Sequence, residues 1–425
     1  MRLYPIRLIK ILILLILFIA IFDKIYLQTW HSKIKIIPIE RKFPTVLTSN
    51  DEFNQISYTL EPFTAKLPHF SDDEARNWFL NSTYYKLYSK QCPNNACETN
   101  GFLFDDLQEH RQVHIAFIKN GLYLNDNCGY RYGEDAIRRT FKSINQATVI
   151  YDKAIIYIVP DGWSFQHFLD GIGPKLSHSK IYLDKYPDAK VIIPRGPRFD
   201  PSVEQIWALM GVNESNRLIH YEHGTNFGAH LLINPCRTPA THPILWHDAR
   251  RLYWSLANLP RSDPLLSRNK LIYLQRTRTN SKNSGRLILN EELLINIVRE
   301  YALKHSLEFI QYDHLTENRI EKQIELFYQA RIIIGVHGGA LSNINFAQSQ
   351  TTIIEIMPYR AEQNTAPVVC IFSKPDEVKP CVGYIYYVQA QLLNHTYWIL
   401  PTEVDDEKNL HVNLTRVKRL FDSLV

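Results

Sequence analysis

The stretch Arg331–Pro358, R-I-I-I-G-V-H-G-G-A-L-S-N-I-N-F-A-Q-S-Q-T-T-I-I-E-I-M-P, leaves this chain few folds to choose from. Its apolar, β-branched run Ile332–Val336 reads as a buried strand. His337 and two glycines follow, then Ala340–Ala347 as one short helix, then a second apolar run, Thr352–Ile356. Strand, glycine turn, helix, strand is a βαβ unit, which needs a parallel sheet to sit in. Adjacent glycines let a ligand approach the backbone, and the helix start offers unpaired N–H groups to an anion. Glu355, on the second strand, is placed to accept hydrogen bonds from a ribose. The spacing matches neither G-x-G-x-x-G nor the P-loop pattern.

The same alternation recurs on either side. Strands are expected at His114–Ile118, Tyr151–Val159, Ala189–Pro194 and Arg217–His220, with a helix at Ser202–Met210. After a connecting helix within residues 236–265, a second series begins: strand Lys270–Gln275, helix Asn290–His305, strand Leu307–Tyr312 and helix Glu321–Ala330. The expected architecture is therefore α/β: two Rossmann-like domains facing a cleft. Residues 71–255 form the first domain and residues 256–425 the second with its tail. The chain beyond Pro358 reads as irregular.

Ligand signals sit at strand ends in both halves. After Lys270–Gln275 comes a basic loop with Arg276, Arg278, Lys282 and Arg286, at the carboxyl edge where parallel sheets bind anions. Arginine suits a diphosphate because its planar fork donates two parallel bonds. In the first half, a helix from Phe165 would put His167 and Asp170 three residues apart on one side, a candidate acid–base pair. The second half thus carries anion signals and the first a base, as nucleotide-sugar transfer requires.

Composition bounds the alternatives. A net charge of +5 on 425 residues is far from the basic stripe of a nucleic-acid binder. Arg2, Arg7 and Lys10 precede an unbroken apolar run, Ile11–Phe22; counted outward to Ile6–Leu27, with Arg7, Lys10 and Lys24 able to snorkel, it has the length of a signal anchor and no small-x-small cleavage site after it. An N-terminal transmembrane helix within residues 1–27 and a stem at 28–70 are expected. Asn81, Asn213, Asn394 and Asn413 each begin a glycosylation triplet, which favours a lumenal body. The cysteines Cys92, Cys97, Cys128, Cys236, Cys370 and Cys381 suit an oxidising compartment and lack zinc-site spacing. Cys92 with Cys97, and Cys370 with Cys381, are candidate local bridges, with connectivity left open.

Three of these motifs, in this order, resemble glycosyltransferase family 61. The element His167-Phe168-Leu169-Asp170 is similar to its H-F-x-D. Gln275-Arg276-Thr277-Arg278 through Arg286-Leu287-Ile288-Leu289-Asn290-Glu291 is similar to its arginine segment. Gly335-Val336-His337-Gly338-Gly339-Ala340-Leu341-Ser342-Asn343, with Glu355-Ile356-Met357-Pro358, is similar to its glycine turn and following strand, Gly339-Ala340 inverting the usual order. The likeness is closer to the animal-type members, which place N-acetylglucosamine on EGF domains or on protein-linked mannose. It implies a GT-B fold and an inverting, metal-independent transfer from a UDP-sugar, GlcNAc or xylose foremost, to a protein-linked or glycan hydroxyl. Asp170 or His167 would be the base. Arg276, Arg278, Arg286, His337, Gly338, Gly339, Ala340, Asn343 and Glu355 would hold the donor, with no cofactor besides it. A single-pass type II protein of the Golgi membrane, or of the ER, is the expected setting. No Asp-x-Asp triplet occurs in the chain. The alternative is a non-catalytic lumenal carbohydrate-binding protein on the same fold.

Overall fold

A computed structural model describes residues 53–60, 63–81, 102–103, 112–124, 144–222, 224–235, 242–260, 268–279, 285–313, 319–359 and 385–424. The expected anchor at 6–27, the stem up to residue 52, Lys282 and all the cysteines lie outside them. No helix among the described residues is long and apolar enough to cross a membrane.

The strands, in chain order, are β1 (Phe53–Thr59), β2 (Thr64–Ala65), β3 (His69–Phe70), β4 (Phe102–Leu103), β5 (Gln112–Leu124), β6 (Val149–Ile156), β7 (Lys190–Pro194), β8 (Leu218–Tyr221) and β9 (Asn226–Asn234). They continue with β10 (Lys270–Leu274), β11 (Glu308–Tyr312), β12 (Ala330–Val336), β13 (Thr352–Tyr359) and β14 (Thr396–Glu403). The helices are α1 (Asp73–Leu80), α2 (Phe165–His167), α3 (Gly173–Lys185), α4 (Pro201–Leu209), α5 (Pro243–Leu256), α6 (Glu291–Lys304), α7 (Ile320–Tyr328), α8 (Ile385–Leu392) and α9 (Leu414–Asp422).

Two six-stranded sheets result, ordered β1-β5-β9-β6-β7-β8 and β11-β10-β12-β13-β14-β3. The second is parallel throughout, as the βαβ reading requires. The first is mixed: β6, β7, β8 and β9 run parallel, whereas β5 is antiparallel to both β9 and β1. Strand β1 falls within the stretch read as stem, and β3 from the same stretch edges the second sheet. Beyond Pro358 the structure corrects the irregular reading. There α8 leads into β14, which pairs along the whole of β13. The signal was present in Thr396–Leu400, an apolar and aromatic run, but its partner lies about forty residues upstream.

One apolar core joins the two sheets. It includes Ile155 and Val191 from the first, Ile272, Ile333 and Tyr397 from the second, and Phe168, Leu176, Trp207 and Tyr253 from the helices between. Helix α5 is the hub, touching α3, α4, α7, α8 and the 3-10 segment Gly339–Phe346. His242 caps its start and Pro243 occupies its first turn, where a missing N–H costs nothing.

From α5 comes a clasp on that 3-10 segment. Trp254 Nε1 donates to Phe346 O at 2.6 Å, and buried Arg250 donates through Nη1 to Ala347 O at 3.1 Å. Nη2 of the same guanidinium donates to Ser349 Oγ at 2.8 Å and to His247 Nδ1 at 2.6 Å. A neutral indole and a cationic guanidinium thus satisfy carbonyls at the segment's C-terminal end, where its dipole is negative and favours the cation. His247 accepts from Arg250 and must stay neutral there. Burial, then Arg250 and Arg251, push its pKa down to about 3. Because the folded pKa lies below the unfolded value, stability is complete above about pH 6.5 and is lost as pH falls towards 3. Substitution His247→Gln, which can still accept but not gain a proton, should flatten the fall of the urea midpoint between pH 6.5 and pH 4. An unchanged slope would clear His247 of that role.

Candidate active site

The helical run from Phe165 to Lys185 is interrupted at Phe168–Ile172 by a π turn, in which Gly173 N–H reaches back to Phe168 O. Pro174 has no N–H to close on Asp170 O, so the wider turn is the natural solution. Such turns mark functional positions in helices. Here the turn buries Asp170 to 3 % exposure and sets its Oδ1 3.5 Å from His167 Nδ1. The His167 side chain keeps 36 % of its surface. Burial lowers the His167 pKa, but the Asp170 hydrogen bond and charge, with the charge of Asp161, carry it above the ordinary value. Asp161 itself holds a left-handed backbone (φ 53°), in a turn closed by Ser164 N–H to Asp161 O at 2.8 Å. Backbone strain of this kind is found where function demands it. The expected pair therefore forms, with distinct parts: a buried carboxylate and an accessible imidazole.

A second imidazole–carboxylate pair lies in the other half. Glu355 is fully buried, and its oxygens bond His337 Nδ1 and the Tyr397 hydroxyl. The contacts run diagonally across neighbouring strands: Gly335 pairs with Glu355 and Glu355 with Ile399, so Glu355, Gly335 and Tyr397 share one face. This corrects the expectation that Glu355 reaches a ribose. Both its oxygens are engaged inside the protein, and it orients His337 instead. Tyr397 went unnoticed in the sequence because nothing local links it to Glu355.

The arginines converge on the glycine turn. Arg276 Nε donates to Gly285 O at 3.1 Å, and buried Arg286 Nη1 donates to His337 O at 2.8 Å. Gly285 and Arg286 both have positive φ (83° and 61°), and Arg286 N–H bonds Lys408 O at 2.5 Å. A Cβ on Gly338 would stand 3.3 Å from Arg276 Nη1 and 3.8 Å from Arg286 Nη1. The first of these is tighter than a Cβ usually makes, so the glycine eases the approach of Arg276; the second is ordinary contact. Burial, with Arg286 alongside, lowers the Arg276 pKa to about 10, and burial lowers that of Arg286 as well. An anion held between them would reverse that cost.

Gly339 is exposed and Ala340 half-buried, at the start of the 3-10 segment. Gln166 Oε1 of the first half lies 3.8 Å from where a Gly339 Cβ would be, and Phe165 packs on Phe346 with ring centroids 6.0 Å apart. The helix that carries His167 and the glycine turn therefore face each other at contact distance, and Gln166 lines this candidate site although the motifs did not single it out. Asn343, expected to bind donor, is buried; it accepts from Gln323 Nε2 at 2.6 Å and donates to Ala340 O at 2.8 Å. It braces the turn. Arg278 is exposed, further out on the loop, and is not drawn into this cluster.

The family described as Glycosyltransferase 61 matches residues 165–354, from the first residue of α2 to the middle of β13. No curated protein matches the chain.

Proposed function

We propose that this chain, which resembles glycosyltransferase family 61 over residues 165–354, is a member of it and moves a sugar from a UDP-sugar to a hydroxyl of a protein-linked or glycan acceptor, with inversion. The observation that carries the reading is the meeting of His167–Asp170 with the Arg276–Arg286–Gly338 turn across the contact of Gln166 with Gly339. In this mechanism His167, oriented by Asp170, takes the proton of the acceptor hydroxyl. Its oxygen forms a bond to the anomeric carbon as the bond from that carbon to the diphosphate oxygen breaks. Negative charge grows on the leaving UDP, and Arg276, Arg286 and the amides at Gly339 and Ala340 meet it without a metal ion. The two sheets then correspond to the acceptor-side and donor-side halves of a GT-B arrangement.

The test is UDP release by the purified chain over UDP-GlcNAc, UDP-xylose and UDP-arabinose, with glycopeptide acceptors. Turnover that survives EDTA is expected. Absence of both UDP binding and UDP release over the whole panel would end the reading, and loss of turnover on chelation would end its metal-free part.

The proposed setting is the Golgi membrane, with the body in the lumen. Asn81, Asn213, Asn394 and Asn413 are all exposed, as glycan acceptors must be. A gel shift on treatment with peptide-N-glycosidase is expected of the chain isolated from its own cells. A chain that carries no N-glycan contradicts that setting.

A further inference from the structure

Among the described tryptophans, Trp163 is the one that the core does not use. Trp78, Trp207, Trp246, Trp254 and Trp398 each belong to an apolar cluster, and Trp163 belongs to none. It is half-buried, yet firmly seated. The indole lies against Gly196, where a Cβ would stand 2.1 Å from its Cγ and Cδ2, so any larger residue there would displace it. The Trp163 carbonyl accepts from Asp200 N–H at 3.1 Å, which ties the turn before α2 to the loop after β7. A large aromatic side chain held still outside the core offers a ligand contact area at little entropic cost.

Its placement says which ligand. Trp163 follows β6 and Gly196 follows β7, so the indole sits at the carboxyl edge of the parallel part of the first sheet, where such sheets bind ligands. Gln166, which lies against Gly339, and His167 come three and four residues later. On the same edge Arg195 pairs with Glu222, both side chains exposed. An aromatic plate on an edge that also carries an amide, a guanidinium and a carboxylate suits a pyranose. The C–H bonds on one face of such a ring carry partial positive charge and meet the negative face of the indole, and its hydroxyls pair with the planar polar groups. An unglycosylated serine or threonine presents no such face. Trp163 precedes the family match, which begins at residue 165, so that match does not assign it. We propose that Trp163 seats the sugar ring of a saccharide acceptor, with the accepting hydroxyl directed at His167. The acceptor is then a glycan rather than a bare protein hydroxyl. This inference rests on the proposed function, with His167–Asp170 at the reacting end of the acceptor.

The probes are methyl glycosides of mannose, xylose, galactose and N-acetylglucosamine, with a serine- and threonine-containing peptide that carries no glycan as the contrast. Turnover of a UDP-sugar is expected with at least one glycoside and not with the peptide. Trp163→Leu keeps apolar bulk and removes the plate. It should raise the acceptor KM at least about tenfold, the scale of one lost stacking contact with its buried area, with kcat and donor KM within about twofold of wild type. Trp163→Phe should recover most of the affinity. Gly196→Ala, which keeps the indole but pushes it from its seat, should raise the acceptor KM as well. Saturation-transfer NMR on the same glycosides reads binding without turnover, and the wild-type signal should vanish in Trp163→Leu. An acceptor KM and an NMR signal both unchanged in Trp163→Leu overturn the proposal. So does turnover confined to the peptide, or a lowered kcat with acceptor KM held. A wild-type chain that binds no UDP counts instead against the proposed function.

Discussion

Alanine at His167 should reduce kcat by about 10²–10⁴-fold, the usual worth of a general base, with UDP affinity unchanged by calorimetry. A base must touch the acceptor oxygen, and the imidazole keeps 36 % of its side-chain surface while the Asp170 side chain keeps 4 %. Asp170 is then the group that holds the ring, and Asp170→Asn should also impair kcat. It should carry a second signature. A neutral imidazole is the working form, so activity falls as pH drops through the His167 pKa, which is raised above 6.5. The hydrogen bond and charge of Asp170 do most of that raising against burial, so in Asp170→Asn the acid limb of the profile should move to lower pH. A His167→Ala protein with near-normal kcat beside a dead Asp170→Asn protein would reverse the two assignments.

Substitution Arg276→Ala should weaken UDP binding by at least about tenfold and remove about 2–4 kcal/mol of stabilisation from the transition state. Arg276 is the better probe of the two arginines. Arg286 is buried to 2 % and holds His337 O, so its loss would damage the turn as well as the site. Arg276 is half-buried and bonds Gly285 O, which leaves its Nη1 end directed at the Gly338 backbone. Arg276→Lys should recover little, because an ammonium supplies charge but not the fork. Calorimetry on a variant with unchanged thermal midpoint decides it, and wild-type affinity would remove Arg276 from the donor site.

Much of the framework was legible from the residues in order. Strands β10, β11, β12 and β13 and helices α4, α6 and α7 each lie within three residues of their expected ends, because strong local periodicity and Gly punctuation announce them. Both strand-end clusters were also legible, since strand, basic loop and glycine turn follow one another in the chain. Legibility failed where meaning came from distant partners. Glu355 reads as a ribose ligand until β14 brings Tyr397 beside it from the supposedly irregular tail. Asn343 reads as a contact for the donor until Gln323 of α7 is seen to occupy it.

By itself, then, the order of amino acids determined the α/β class, the parallel second sheet and the positions of the basic loop, the glycine turn and the His167–Asp170 pair. Only the tertiary structure decided which groups face a substrate and which brace the fold. Whether a carboxylate or amide is free to act depends on what fills its remaining hydrogen-bonding positions, and those partners arrive from elements remote in sequence.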